Sequence, residues 1–178
     1  MSDIVVQKIV RPERALSGPW LEVVASNLDY HRATFLWKCE GLSDEQLRLR
    51  PVRPSALTLL GLMRHLQGAE RAWFQRALAG ATPHFPPYRT YVTADGGEWY
   101  DESDATPARD VYEDYLKACT ESRQVFAKVT ADLARIVPNP EFGDTDVRFV
   151  LEHMIEEYAR HVGHADLLRE AIDGVTGE

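Results

Sequence analysis

The feature that most limits how this chain can fold is the stretch of residues 144–174, DTDVRFVLEHMIEEYARHVGHADLLREAIDG. Its apolar residues include Val147, Val150, Leu151, Met154, Tyr158 and Leu168, spaced by threes and fours. At about 100° per residue they fall in one stripe centred near Met154, which predicts a long amphipathic helix. Asp144 or Thr145 is placed to cap its start, and Gly174 to stop it. A helix of that length cannot bury its stripe alone and needs other helices to pack against.

Three more stretches supply them. The first helix is expected from Ser17 and Pro19 to Gly41, with Leu21, Val24, Leu28, His31 and Phe35 on one face. Ser43 and Gln46 have the spacing of a capping box for one short turn. The second helix is expected from Ser55 to Ala79, with Leu59, Leu62, Leu66 and Trp73 on its face and Gly80 as its stop. Thr106 and Pro107 start a third, which carries Val111, Tyr115 and Val125 and fades near Val137. Between the second and third lies a long aromatic stretch, residues 81–105, holding Tyr88, Trp99, Gly96 and Gly97. A crossover of that length in a small protein is usually functional. No strand is expected, and residues 138–143 read as a turn. The chain has 178 residues, one domain's worth. The expectation is therefore an all-α fold, a four-helix bundle with a long crossover loop, forming a single domain over residues 1–178.

Composition narrows the function. Net charge is −8, a sign that disfavours nucleic acid and anionic membrane surfaces. No apolar run approaches the roughly 20 residues of a membrane span, and Gln7 and Lys8 interrupt the apolar residues of a leader. The expected location is cytoplasmic. Cys39 and Cys119 form no CxxC pattern and read as reduced, partly buried side chains. Trp20, Trp37, Trp73 and Phe74 read as core fillers. Val23 and Trp37 would suit the seam of a homodimer.

The chemistry lies in the histidines. On the last helix His161 falls about 20° from the centre of the apolar stripe, Glu157 about 60°, His164 about 80° and His153 about 100°, all on one side. Arg148 with Glu152, and Glu156 with Arg160, lie on other faces as solvated (i, i+4) pairs. Glu157 and His161 thus project side by side into the bundle flank, where an uncompensated carboxylate is costly. A metal ion compensates by coordinating the carboxylate and a neutral imidazole. The best third ligand is His65 on the second helix, and His31 is the next candidate. A lone histidine on an apolar face is usually a packing residue, but three of them with Glu157 on one ridge point to a metal. Glu70, inside the second helix's stripe, reads as a salt-bridge acid. His84, in the crossover, reads as exposed.

The stretches LLGLMRHLQGAERAWFQRALAG and HMIEEYARHVGHADLLREAIDG, with LDYHRAT, GLSDEQL and the closing IDG, resemble the DinB-like (YfiT-like) superfamily of metalloenzymes. Within it they are similar to an actinobacterial branch related to mycothiol S-transferases and to mycothiol-dependent maleylpyruvate isomerase. The resemblance implies a four-helix bundle with a divalent metal on three side chains, one on the second helix and two at i and i+4 on the last. Many members carry His-x-x-x-His followed by Arg-Gly-Gln. His161-Val162-Gly163-His164 matches the end of that pattern, so His161 takes the second position and Glu157 the first, as in the isomerase branch. His65 takes the second-helix position. His164 replaces the usual Gln, as a fourth ligand, a hydrogen-bond partner of the ligands or a proton carrier.

The function this implies is a metal-dependent transferase, with Zn²⁺ expected, acting on a low-molecular-weight thiol and a small electrophile. Of 20 basic residues 16 are Arg, which fits an actinobacterial host and so mycothiol. A thiol at an open metal position is deprotonated there, so no protein cysteine is required. His164 or His153 is the candidate base. The alternatives are a non-catalytic metal-binding stress or structural module, a non-haem iron oxygenase, a metal-dependent hydrolase or isomerase, and a bundle whose histidines only pack.

Overall fold

The computed structural model describes residues 4–92, 98–101, 103–129, 132–138 and 143–177. Four long helical stretches build it. They are α1 (Trp20–Cys39), α3 (Leu59–Glu70) running directly into a π-helical segment (Arg71–Leu78), α4 (Ala108–Phe126) and α5 (Val147–Asp173). The single turn α2 (Asp44–Leu47) follows α1. It starts with the expected capping box, Ser43 and Gln46 satisfying each other's backbone N–H. The architecture is all-α, as the spacing and the resemblance both imply. No helix among the described residues is long and apolar enough to cross a membrane.

Two short antiparallel pairs correct the expectation of no strand. β1 (Thr90–Val92) pairs with β2 (Glu98–Tyr100), and β3 (Ile136–Val137) with β4 (Thr145–Asp146). The first pair lies within the crossover, where β-branched and aromatic residues favour extended backbone. An isolated two-stranded ribbon is marginal in water, and this one gains support by resting Trp99 on α3 at Gly61. Helix α4 stops at Phe126 rather than near Val137, and Val137 lies instead in β3. Gly96, Gly97 and most of the expected turn at 138–143 lie outside the described residues.

Helix starts also shift by a few residues, each for a hydrogen-bonding reason. Thr58 accepts from the Gly61 N–H at 2.9 Å, so α3 begins at Leu59, whereas the Ser55 side chain accepts from Leu57 in a local turn. Asp146, not Asp144 or Thr145, caps α5 by accepting from the Phe149 N–H at 3.0 Å. Gly174 ends that helix in the left-handed conformation at φ +77°, which a side chain would oppose.

Helix α1 packs on α5, and α3 lies between α4 and α5. Leu28, Phe35, Leu62, Leu66, Leu151 and Met154 fill the space between them, all without solvent contact. Each such side chain contributes about 1.5–3 kcal/mol of burial free energy. Arg169 of α5 donates to the carbonyls of Lys38 and Glu40 at 3.1 and 2.7 Å. It thereby satisfies groups that the end of α1 leaves unpaired. Trp73 and Phe74 are core residues as expected, but Trp20 is 40% exposed at the start of α1, which corrects that reading. Trp37 is half-buried beneath Arg11 and Lys38, whose charged groups sit 4.3 Å from its ring. Cys39 and Cys119 are free and fully buried rather than partly so. Burial pushes both thiols up to about 12.

Candidate metal centre

α3 and α5 run side by side, and a ridge on each meets the other. On α5 the positions Phe149, His153, Glu157 and His161 follow at intervals of four, so their side chains line one flank. Across the seam, His65 of α3 faces Glu157 and His161, while Trp73 of the π segment faces Phe149 and His153. The π segment closes its turns with longer hydrogen-bonded rings, as in the Ala79 N–H to Phe74 carbonyl bond at 3.0 Å. It is the local winding from which Trp73 reaches α5.

At the middle of the seam one carboxylate oxygen gathers two imidazoles. Glu157 Oε2 lies 3.0 Å from His65 Nε2 and 3.2 Å from His161 Nε2. The three ligand atoms of these residues all lie within 4.8 Å of one another. Hydrogen bonding from His161 first, and from His65 next, holds the Glu157 carboxyl far below the usual range against the opposing effect of burial. The His65 side chain is 36% exposed, against 15% for Glu157 and 10% for His161, so the cluster opens to solvent on the α3 side.

The other histidines take separate places. His164 Nδ1 lies 3.2 Å from His161 Nδ1, the ring nitrogen turned away from Glu157. One of these two nitrogens must donate and the other accept, so the contact selects a tautomer for His161. Burial, then His161 and Arg160, lowers the His164 pKa. His153 Nε2 lies 3.6 Å from the other Glu157 oxygen, and its ring is held between Phe149 and Trp73. His31 does not join the cluster. It stands edge-on to Tyr30 on α1 with its pKa lowered by burial and by Arg14. His84 is exposed, as expected.

Behind the cluster is a second polar centre that sequence reasoning largely missed. Glu70 is wholly buried and accepts from Arg32 Nε and Nη2, both at 2.8 Å, and from the Tyr158 hydroxyl at 2.6 Å. Tyr115 adds a hydroxyl 3.0 Å from that of Tyr158, and Ser122 donates to the Glu70 carbonyl at 3.3 Å. All four long helices contribute. Glu70 is the salt-bridge acid expected, but its partner is one residue past His31. The available signal was the spacing from Leu28, where Arg32 sits at i+4 and His31 at i+3. Trp99 was also missed as a neighbour of the cluster, its ring 6.3 Å from that of His65.

Comparison with known proteins agrees with the fold and names a family. The sequence matches the family model described as mycothiol-S-transferase over residues 23–174. No curated protein matches it. The fold is similar to that of a crystal structure described as the conserved protein of locus from Enterococcus faecalis. The TM-score is 0.71 at 12% identity, covering 89% of this chain and 100% of that one.

Proposed function

This chain belongs to the mycothiol-S-transferase family, and on that premise we propose that it is a metal-dependent S-transferase joining a low-molecular-weight thiol, mycothiol, to a small electrophile. The observation that carries the reading is the convergence of His65, Glu157 and His161 on one point of the α3–α5 seam. Without a metal, the largely buried carboxylate is held only by N–H donation from the two imidazoles, 3.0 and 3.2 Å away. With one, neutral imidazoles and the carboxylate all direct lone pairs at the same centre, which suits their burial better. Two nitrogens and one oxygen match the ligand set of an open, catalytic zinc site. When bound, the metal supplies a position at which a thiol loses its proton near neutral pH.

The chain's own residues do the rest. His65, Glu157 and His161 hold the metal, and His164 fixes the orientation of His161. His153, beside Glu157, is the candidate group to accept the thiol proton. Cys39 and Cys119 take no part, since both thiols are sealed in the core and held protonated.

A purely structural metal is disfavoured by the Glu70 centre, which already ties the four helices together at this level and leaves a staple little to do. The test is metal analysis joined to turnover. Purified protein is expected to bind about one divalent ion per chain and to conjugate mycothiol to an electrophile, with both properties lost in His65→Ala and His161→Ala. Unchanged metal content and turnover in those variants would remove the site.

A further inference from the structure

The four helices do not close evenly. α1 packs on α5, and α3 on both α4 and α5. The α1–α4 edge, opposite the α3–α5 seam, holds a cavity of about 430 Å³. Asp29, Ala33 and Leu36 of α1 form one wall, and Leu116, Cys119 and Arg123 of α4 the other. Each set recurs at intervals of three and four, so each is one helix face, and the walls run together for about 10 Å. Arg123 Nε donates to Asp29 at 2.8 Å, while Phe35 meets Tyr115 with ring centres 5.9 Å apart. The two helices are therefore antiparallel here, and the cavity has a polar end at Asp29 and Arg123 and an apolar end at Leu36 and Leu116.

The third side is the amino-terminal segment, which is pinned along α1. The Ile9 N–H donates to Glu40 at 2.7 Å and the Ala15 N–H to the Ser26 hydroxyl at 2.9 Å. Ile9 and Pro12 line the cavity between those pins. Its floor is the outer side of the Glu70 centre, where Arg32 and Tyr115 are buried.

Charge and surface say what such a space takes. Lys8, Arg32 and Arg123 line it against Asp29 alone. Glu70 matches Arg32 from behind, which leaves one positive charge in excess on a chain whose net charge is −8. A cation would be repelled by Lys8 and Arg123. Among the described residues Arg123 gives only its Nε, and its side chain is 47% exposed. Its two terminal nitrogens can therefore present paired N–H donors, the fork that receives a carboxylate. At the lip, Leu116 is 38% and Val10 83% exposed, apolar surface that a chain lying in the cavity would cover.

We propose that the α1–α4 cavity binds a medium-chain alkyl carboxylate, with its carboxylate on the Arg123 fork and its chain along Leu36 and Leu116. The volume falls within the range of small-molecule sites, which are mostly apolar with a few polar groups that fix orientation. The site stands apart from the metal centre and does not rest on the transferase reading.

The test is calorimetric titration of the metal-loaded chain with octanoate, octanol and butyrate. Octanoate should bind. Octanol, which lacks the charge, should bind about tenfold more weakly. Butyrate should bind about a hundredfold more weakly, since each methylene contributes about fourfold. Arg123→Gln, at a half-exposed position where folding should be unaffected, should lower octanoate affinity about tenfold and leave octanol unchanged. Ala33→Phe, which puts a ring into the cavity, should abolish both, and His161→Ala should bind octanoate as wild type does. The site is overturned if wild type binds no octanoate, or if Arg123→Gln or folded Ala33→Phe binds it equally well. Octanoate binding lost in His161→Ala also overturns it, since the carboxylate would then sit on the metal. So does a dimer in sedimentation that no octanoate enters, because a second copy of the chain would then close the cavity.

Discussion

Glu70 and Glu157 invite comparison, because two carboxylates turned into one bundle have been given different partners. Glu70 is wholly buried against Arg32, with bonds at 2.8 Å to each oxygen, and Tyr158. Glu157 is 15% exposed and shares one oxygen between two histidines. A guanidinium keeps its proton at any accessible pH and has no lone pair to offer, so the Glu70 pair is closed. An imidazole can give up its proton and present a lone pair, so the Glu157 cluster can trade proton for metal. The neighbouring positions Glu157 and Tyr158 on α5 thus serve opposite ends, one adjustable and one fixed.

The comparison breaks most readily at Arg32. Arg32→Ala leaves a buried carboxylate unpaired and is expected to cost about 3–5 kcal/mol, read as a lower denaturant midpoint. Combining Arg32→Met with Glu70→Leu, which removes both charges at once, should recover most of that loss. An unaltered midpoint in the single variant would show that the pair is not closed. The next effect is on the other carboxylate. Zn²⁺ at a hundredfold excess over its Kd should stabilise wild type by about 2.7 kcal/mol. That increment should persist in Arg32→Ala and vanish in His161→Ala. A metal increment lost in both variants would mean the two centres are one unit.

Two smaller changes test whether the crossover belongs to the open centre. A Cβ on Gly61 would lie 2.8 Å from Trp99 Nε1 and 2.9 Å from Thr58 Oγ1. Gly61→Ala should therefore unseat Trp99 from beside His65 at a cost of about 1–3 kcal/mol, visible as a change in tryptophan fluorescence. Retained fluorescence would place the Trp99 contact outside the determinants of the fold. The smallest effect concerns Asp104, which accepts from the backbone N–H of Arg89 and of Thr106, each at 2.8 Å, and so pins both ends of the crossover's second half. Hydrogen bonding, that of the Thr106 side chain first, holds its carboxyl down to about 2. A carboxyl lowered on folding adds stability above its unfolded pKa of about 4, and that stability drains away as pH falls toward about 2. Asp104→Asn should flatten this part of the Tm–pH curve and lower Tm at neutral pH by roughly 3 °C. An identical acid slope in the variant would assign the slope to other carboxylates.

How much was legible follows from the range of each interaction. The α5 stripe depends on neighbours three and four residues away, so Val147, Leu151, Met154 and Leu168 could be placed from spacing alone. So could the side-by-side projection of Glu157 and His161. The capping box at Ser43 is equally local. What stayed hidden depends on separations the pattern does not carry. Arg32 and Glu70 are 38 positions apart, and the spacing from Leu28 that places Arg32 on the inner face does not say which acid it meets there. The strands at Ile136–Val137 and Thr145–Asp146 are two residues each, below the length at which alternation is visible. Trp99 reaches His65 only because of the path the crossover takes, which no helical period encodes.

The π-helical segment at Arg71–Leu78 has a consequence for how the gene can change. Wide turns of this kind accommodate one residue more than an α-helix would hold. Deleting a single codon there would tighten the winding and leave His65 in place. The change would fall within the wide turns themselves, so Trp73, which lies in them, would move relative to α5. Insertions and deletions in this stretch are therefore a way to redraw one end of the seam while sparing the other.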